Sequence, residues 1–295
     1  MKKIDLSDYK DYRQYFNFYD VIIKQVSSNK ESFLESIYLS PSSYRRAKND
    51  GNKIGKQLLE ELCNYFKYEM IDKDIVEEIE NRINTIYFNV YYKKYDSYES
   101  DLQWLESFLE KKYIIYPVIL LFKLLLLINS QNNPKNVLHD NIEIYEELQQ
   151  FDLFLNGDLQ EIFEIIHISF KNEIDNNVLS INYKNELSYY TLSTKCILVG
   201  RYIEAIYFCE KAKRIFIKEE NYKRAYYANL NLMSAYIYLQ KYNDCYNLAQ
   251  KQLISLESHK ILEFEYTATI RHYLISCLGL GKYHDILYTL EIKNN

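Results

Sequence analysis

The sequence predicts an all-α chain in two parts: a bundle of short helices at the N-terminus, then a longer array of stacked helical hairpins. Three observations carry this. Glycine and proline are scarce, 6 and 3 of 295 residues, which suits long helices with short connections and leaves a sheet protein too few turn residues. Apolar residues recur at helical spacing, as at Leu192, Cys196 and Val199 and again at Leu232, Ala235, Tyr236 and Leu239. A short phrase also returns. Gly200-Arg201-Tyr202-Ile203-Glu204-Ala205 is followed by Gln240-Lys241-Tyr242-Asn243-Asp244-Cys245 and Gly281-Lys282-Tyr283-His284-Asp285-Ile286, with the tyrosines 40 and 41 residues apart.

The phrase has a physical reading. Glycine after a helix suits the left-handed cap residue, where a Cβ would clash. The tyrosine two residues on is expected to pack between the helices of its hairpin. The acidic residue falls in the first turn of the next helix, where the helix dipole favours it. The small residue beside it, Ala205 or Cys245, lets two helices approach closely. A weaker fourth copy, Gly157-Asp158-Leu159-Gln160-Glu161-Ile162, starts 43 residues before Gly200. The pattern resembles the tetratricopeptide repeat, best over Thr191 to Phe216, although the period exceeds the usual ~34 and implies longer helices. The resemblance implies four hairpins over roughly residues 142–295, coiled into a right-handed superhelix. The repeat domain is taken as residues 71–295, with eroded hairpins over 72–141.

Composition bounds what else the chain can be. Hydrophobic residues make up 48% and charged residues 26%, so a buried core is expected throughout. The most apolar run, Tyr113 to Ile128, contains Pro117 and Lys123 and falls short of the ~20 residues of a membrane span, so it reads as a buried core helix. No membrane partner is expected. Residues Met1 to Asp20 mix charged and aromatic side chains, unlike a signal peptide. Cys63, Cys196, Cys209, Cys245 and Cys277 are odd in number and lack metal-site spacing. They read as buried thiols in a reducing, cytoplasmic compartment. The 32 tyrosines accompany high lysine, asparagine and isoleucine content and reflect codon bias more than function.

Residues 1–70 form the other part. Tyr9 to Val26, Asn29 to Leu39 and Ile54 to Phe66 read as helices. Between the last two lies Ser40-Pro41-Ser42-Ser43-Tyr44-Arg45-Arg46-Ala47-Lys48, opened by a good N-cap and a proline suited to the first helical position. Residues 40–56 hold Arg45, Arg46, Lys48, Lys53 and Lys56 against one acid, Asp50, in a chain of net charge −5. Such a local basic excess is what phosphate contact requires. The helix order resembles the lambda-repressor-like helix-turn-helix, whose second helix enters the major groove. That resemblance implies double-stranded DNA as a partner, with Ser42, Ser43, Arg45, Arg46, Lys48 and Lys53 facing it. Two positions depart from the family: Leu34 stands where a helix-packing alanine is usual and Tyr38 where a turn glycine is usual. The alternative is a capping bundle with a solvated basic face.

A helix-turn-helix followed by tetratricopeptide-like repeats resembles, in layout, the Rgg/PlcR group of peptide-sensing transcriptional regulators. The resemblance implies a homodimer whose concave repeat face holds a short linear peptide. Counting back from the turns places Tyr190, Thr194, Tyr227, Leu230, Asn231, Ser234, Tyr238 and Arg271 on that face. Asparagine can donate to and accept from a peptide backbone, and Arg271 can pair a ligand carboxylate. The competing readings are a helical-repeat adaptor, or a Rap-like modulator that does not bind DNA. No catalytic or phosphate-binding motif stands out. The histidines, at 139, 167, 259, 272 and 284, show no ligand spacing, so no enzyme activity, metal or cofactor is expected, and His272 reads as a core or solvated side chain.

Overall fold

The computed structural model describes residues 3–293 apart from 28, 50–54, 95, 131–133, 172, 175 and 259–262. The described residues are helical almost throughout, with one isolated parallel β-bridge between Glu69 and Tyr113 and no strand. No helix among them is long and apolar enough to cross a membrane.

Two compact units divide the chain, Met1–Ile166 and His167–Asn295. This boundary lies far beyond the one expected after residue 70. The reason is that residues 1–70 do not close a core on themselves. Helix α1 (Tyr12–Val26) is buried on most sides, and its aromatic partners come from well beyond residue 70. Phe18 stacks on Phe151 at 5.5 Å and meets Phe154 edge-on at 5.6 Å. The Tyr9 hydroxyl donates to the Phe154 carbonyl at 3.2 Å. The Ile4 and Leu6 amides donate to Asn84 Oδ1 and Glu80 Oε2.

Three short helices follow α1: α2 (Lys30–Ser36), α3 (Pro41–Asn49) and α4 (Lys56–Phe66). Asp11 and Asn29 cap α1 and α2, each accepting a backbone N–H through its side chain. Next come α5 (Lys73–Tyr92), α6 (Tyr98–Glu110) and α7 (Tyr116–Ser130). As its composition predicts, α7 is a core helix: Val118, Leu121, Phe122, Leu124 and Leu125 are fully buried, and it packs against both α5 and α6. Lys123 is tolerated there because its ammonium reaches Glu106 at 3.0 Å. Helices α8 (Pro134–Asp140), α9 (Ile142–Gln149) and α10 (Gly157–Phe170) complete this stretch.

The second unit contains the short α11 (Asn176–Ser180) and three hairpins: α12 (Glu186–Leu198) with α13 (Tyr202–Lys218), α14 (Tyr222–Tyr238) with α15 (Tyr242–Ser258), and α16 (Glu263–Leu280) with α17 (Tyr283–Lys293). Tyr202, Tyr242 and Tyr283 each open the second helix of a hairpin, where the repeat phrase puts them, but they do not pack between the helices of their own hairpin as expected: Tyr202 stacks on Tyr238 and Tyr242 lies against Gly279, both in the next hairpin, and Tyr283 is exposed. The turns are built alike. Gly200, Gln240 and Gly281 all have positive φ, +80°, +57° and +68°. Each donates its N–H to the carbonyl three residues back, and the following residue donates five residues back, the double bond of a Schellman cap. Small residues then allow close helix approach: Ala205 and Cys245 are fully buried.

The fourth copy departs from this plan. Gly157 does have positive φ, +52°, but it opens α10 after a 3-10 turn, Asp152–Phe154, and the preceding α9 has only 8 residues. The expected four-hairpin run from residue 142 is therefore three full hairpins from residue 186.

Candidate functional site

Residues 41–49 of the basic segment form the short helix α3. Helix α2 ends in the same cap that ends the repeat helices. Tyr38 takes φ +62°, its N–H donates to the Glu35 carbonyl at 3.1 Å, and the Leu39 N–H donates to the Leu34 carbonyl at 2.8 Å. Leu34 and Leu39, the apolar pair that accompanies such a cap, are both buried. The departure at Leu34 is thus absorbed in the core. That at Tyr38 is accommodated by leaving the ring 98% exposed, with only backbone strain to bear.

Helix α3 then presents two unlike faces. Tyr44 and Ala47 are buried at 1% exposure. Ser42, Ser43, Arg45, Arg46 and Lys48 are exposed. The Ser40 hydroxyl accepts the Ser43 N–H at 3.4 Å, as the N-cap reading requires. Arg45 is ion-paired with Glu31 on α2, and the Arg46 Nε donates to the Ser42 carbonyl at 3.5 Å. Lys53 lies outside the described residues.

The position of α3 is fixed from below by a residue that the sequence reading did not single out. Asp20, on α1 and nearly buried, accepts from the Tyr44 hydroxyl at 2.7 Å. It also pairs with Lys30, with Lys24 at 2.9 Å and with Lys48 at 3.5 Å. Burial works against the Asp20 charge, but the bonds from Lys30, Tyr44 and Lys24 outweigh it and hold the carboxyl well below the usual range. Arg13, also on α1, donates to the Ala47 and Lys48 carbonyls at 3.3 Å, satisfying the C-terminal end of α3 and favouring its dipole. Asp20 lies two turns or more from the basic run in sequence, so only the fold brings it there.

In the second unit the first helices of the hairpins, α12, α14 and α16, lie beside one another, and a polar ladder crosses them. Asn231 Nδ2 donates to Thr194 Oγ1 at 2.9 Å and to Ser193 Oγ at 3.1 Å. Ser234 Oγ meets His272 Nε2 at 2.9 Å. The two rungs are translations of each other: Thr194 and Ser234 are 40 residues apart, Asn231 and His272 are 41 apart. His272 Nδ1 lies 2.8 Å from the Ala268 carbonyl, so Nδ1 carries the proton and Nε2 accepts from Ser234 in the neutral ring. Burial, then repulsion from Arg271, pushes the His272 pKa down against the pull of the Ala268 carbonyl.

The other expected groove residues are placed as follows. Tyr190 meets Phe216 edge-on at 6.4 Å and lies under the fully buried Arg224 guanidinium at 5.3 Å. Tyr227 stacks on Phe264 at 6.1 Å. Tyr238 stacks on Tyr202 at 4.7 Å with the rings nearly parallel. Arg271 is exposed. Leu230 does not face a groove; it is buried among Met233, Tyr246 and Tyr273, because α14 turns that edge toward α15. Ser193, Arg224, Phe264 and His272 were not foreseen. Aligning the repeats by their turns would have found His272 opposite Ser234.

No reactive centre is apparent in the thiols. All five cysteines are buried and free, and burial raises the thiols of Cys196, Cys209 and Cys245 to about 12, so they stay protonated at neutral pH. Among the described residues no three histidines, cysteines or carboxylates gather to hold a metal ion. No protein-family model, curated protein or solved structure matches the chain.

Proposed function

We propose that the chain is a cytoplasmic, DNA-binding transcriptional regulator gated by a short linear peptide held on its repeat array. The observation that carries this reading is the two-faced α3: Tyr44 and Ala47 are locked in the core while Ser42, Ser43, Arg45 and Arg46 stand in solvent behind a tight, capped turn. A helix held so firmly and exposed so selectively can enter a major groove as a rigid body. The half-open side chains of Thr194, Asn231 and Ser234, with the exposed Arg271, offer polar contacts to a peptide. A homodimer would set two α3 helices about 34 Å apart, or a multiple of that, to match half-sites.

The test is fluorescence anisotropy of the protein with duplex DNA from its own promoter region, across a salt series. Arg45→Ala is expected to weaken binding by about 1–3 kcal/mol at a preferred sequence, and Lys48→Ala to weaken binding to all sequences alike and flatten the salt dependence. Glu31→Gln frees Arg45 from its partner and should strengthen binding. Wild-type protein with no salt-sensitive affinity for any duplex would defeat the reading. The adaptor reading would then stand. It draws on the ladder, where the Asn231 amide group is already committed to Ser193 and Thr194 and serves to tie repeats together.

A further inference from the structure

Charge beside α3 is out of balance. Asp20 Oδ2 holds the Lys24 ammonium at 2.9 Å and the Lys48 ammonium at 3.5 Å, and Asp20 Oδ1 holds Lys30. The three cations come from three elements: Lys24 from the last turn of α1, Lys30 from the start of α2 and Lys48 from the last turn of α3. Among the described residues no other acid pairs with any of them. Three ammonium groups against one carboxylate leave two positive charges uncompensated. The crowding is felt at Lys30: burial lowers its pKa, the bond to Asp20 opposes that, and the Lys48 and Lys24 charges add to the lowering. Lys30 is also committed to the Tyr44 ring, 4.7 Å away. Lys24 and Lys48 each keep 49% of their side chains exposed, so both heads are open to a further anion.

The cluster sits on one flank of α3. Lys48 lies about 40° around the helix from the buried Tyr44, and its head reaches the same carboxylate as the Tyr44 hydroxyl. A helix about 10–12 Å across fills a major groove about 12 Å wide, so its flanks stand against the phosphates of the bordering strands.

We propose that Lys24, Lys30 and Lys48 form a contact site for the phosphates of the strand bordering the groove, and that Asp20 is the positioning residue that gathers them there. The proposal rests on the DNA-binding reading of α3. Asp20 itself repels a phosphate, but it brings three cations to one place and anchors Tyr44, so its net effect on an approaching phosphate is attractive. Glu31 differs, because it pairs with one cation, Arg45, and cancels one charge with one charge.

The two acids therefore act with opposite sign. Loss of the Glu31 charge strengthens binding and loss of the Asp20 charge weakens it, although each makes the protein more positive. The experiment is fluorescence anisotropy of the full chain with a promoter duplex and with a duplex of unrelated sequence, across a salt series. Asp20→Asn should weaken binding to both by about three- to tenfold and flatten the slope of log affinity against log salt by about one to two, since each phosphate contact contributes about 0.9. Lys24→Gln should flatten the wild-type slope by about one and change little in the Asp20→Asn background. Were Asp20 only a fold-stabilising residue, Lys24→Gln would leave the wild-type slope alone. Asp20→Glu, which keeps the charge, should restore most of the slope. Lys94→Gln removes the same charge from an exposed residue after α5 and should leave the slope unchanged. Circular dichroism checks that each variant is folded; should Asp20→Asn unfold the chain, the half-exposed Lys24→Gln carries the test. With wild-type binding intact, the proposal is overturned if Asp20→Asn binds as tightly as the wild type or tighter, or if Lys24→Gln behaves as Lys94→Gln does. Wild-type protein without salt-sensitive binding to any duplex overturns both the proposal and the function beneath it.

Discussion

The same helix-ending cap serves two regions of the molecule to different ends. In the hairpin unit it recurs at Gly200, Gln240 and Gly281; after the first two a tyrosine packs against the next hairpin, Tyr202 on Tyr238 and Tyr242 against Gly279, and a hydroxyl rung joins each first helix to the next. In the N-terminal unit it ends α5 at Lys93 and, at Tyr38, launches α3, whose neighbours are not repeated anywhere. There α1 is held by an aromatic cluster around Phe18, joined by Tyr19, Tyr68, Phe151 and Phe154, and by one carboxylate, Asp20, tying three helices together. A stack built from nearest-neighbour contacts spreads its stability along the array, whereas a cluster drawn from distant segments concentrates it at a few side chains. Three measurements can break or sharpen that contrast.

The largest effect is expected at Phe18. Phe18→Ala empties the centre of the N-terminal cluster and should cost about 3–5 kcal/mol, read as a fall in the urea midpoint. A cost below about 1 kcal/mol would mean that the cluster is loosely packed and that the contrast with the array is false.

The turns come next, because they share one geometry and differ in residue. A non-glycine residue in the left-handed region costs about 1–2 kcal/mol. Gly200→Gln should therefore destabilise by about 1 kcal/mol, while Gln240→Gly and Tyr38→Gly should each stabilise by about that amount. If Tyr38→Gly instead destabilises, the exposed ring has a role in the folded protein that the array turns lack.

The smallest effect is the pH dependence of the Ser234–His272 rung. The His272 pKa is lowered by folding, so below the usual histidine value the unfolded chain takes up a proton that the folded ring resists. Stability should then fall as pH drops below ~6.5 and level off beneath the folded pKa. His272→Gln should flatten thermal midpoints between pH 7.5 and 5.5 relative to wild type. An unchanged slope would place the titrating group elsewhere.

The sequence by itself determined the helices, the hairpin turns and the exposed basic run. These follow from local rules: apolar spacing sets helix faces, a left-handed cap favours glycine, and Ser40-Pro41 starts a helix. The small residues Ala205 and Cys245 were legible because the phrase recurs, and recurrence separates signal from coincidence. Tertiary structure alone decided that residues 1–70 belong to a unit reaching to Ile166, since Phe18 meets Phe151 and Phe154 across more than a hundred residues of chain, a distance no local pattern spans. It decided that Leu230 faces the core rather than a groove, because helix periodicity fixes which residues share a face but not which way that face turns. It also decided that Asp20 lies beneath α3 and that Asn231 and His272 reach the preceding first helix. Such polar groups act through partners brought near by packing, and a single residue letter does not carry its partner's name.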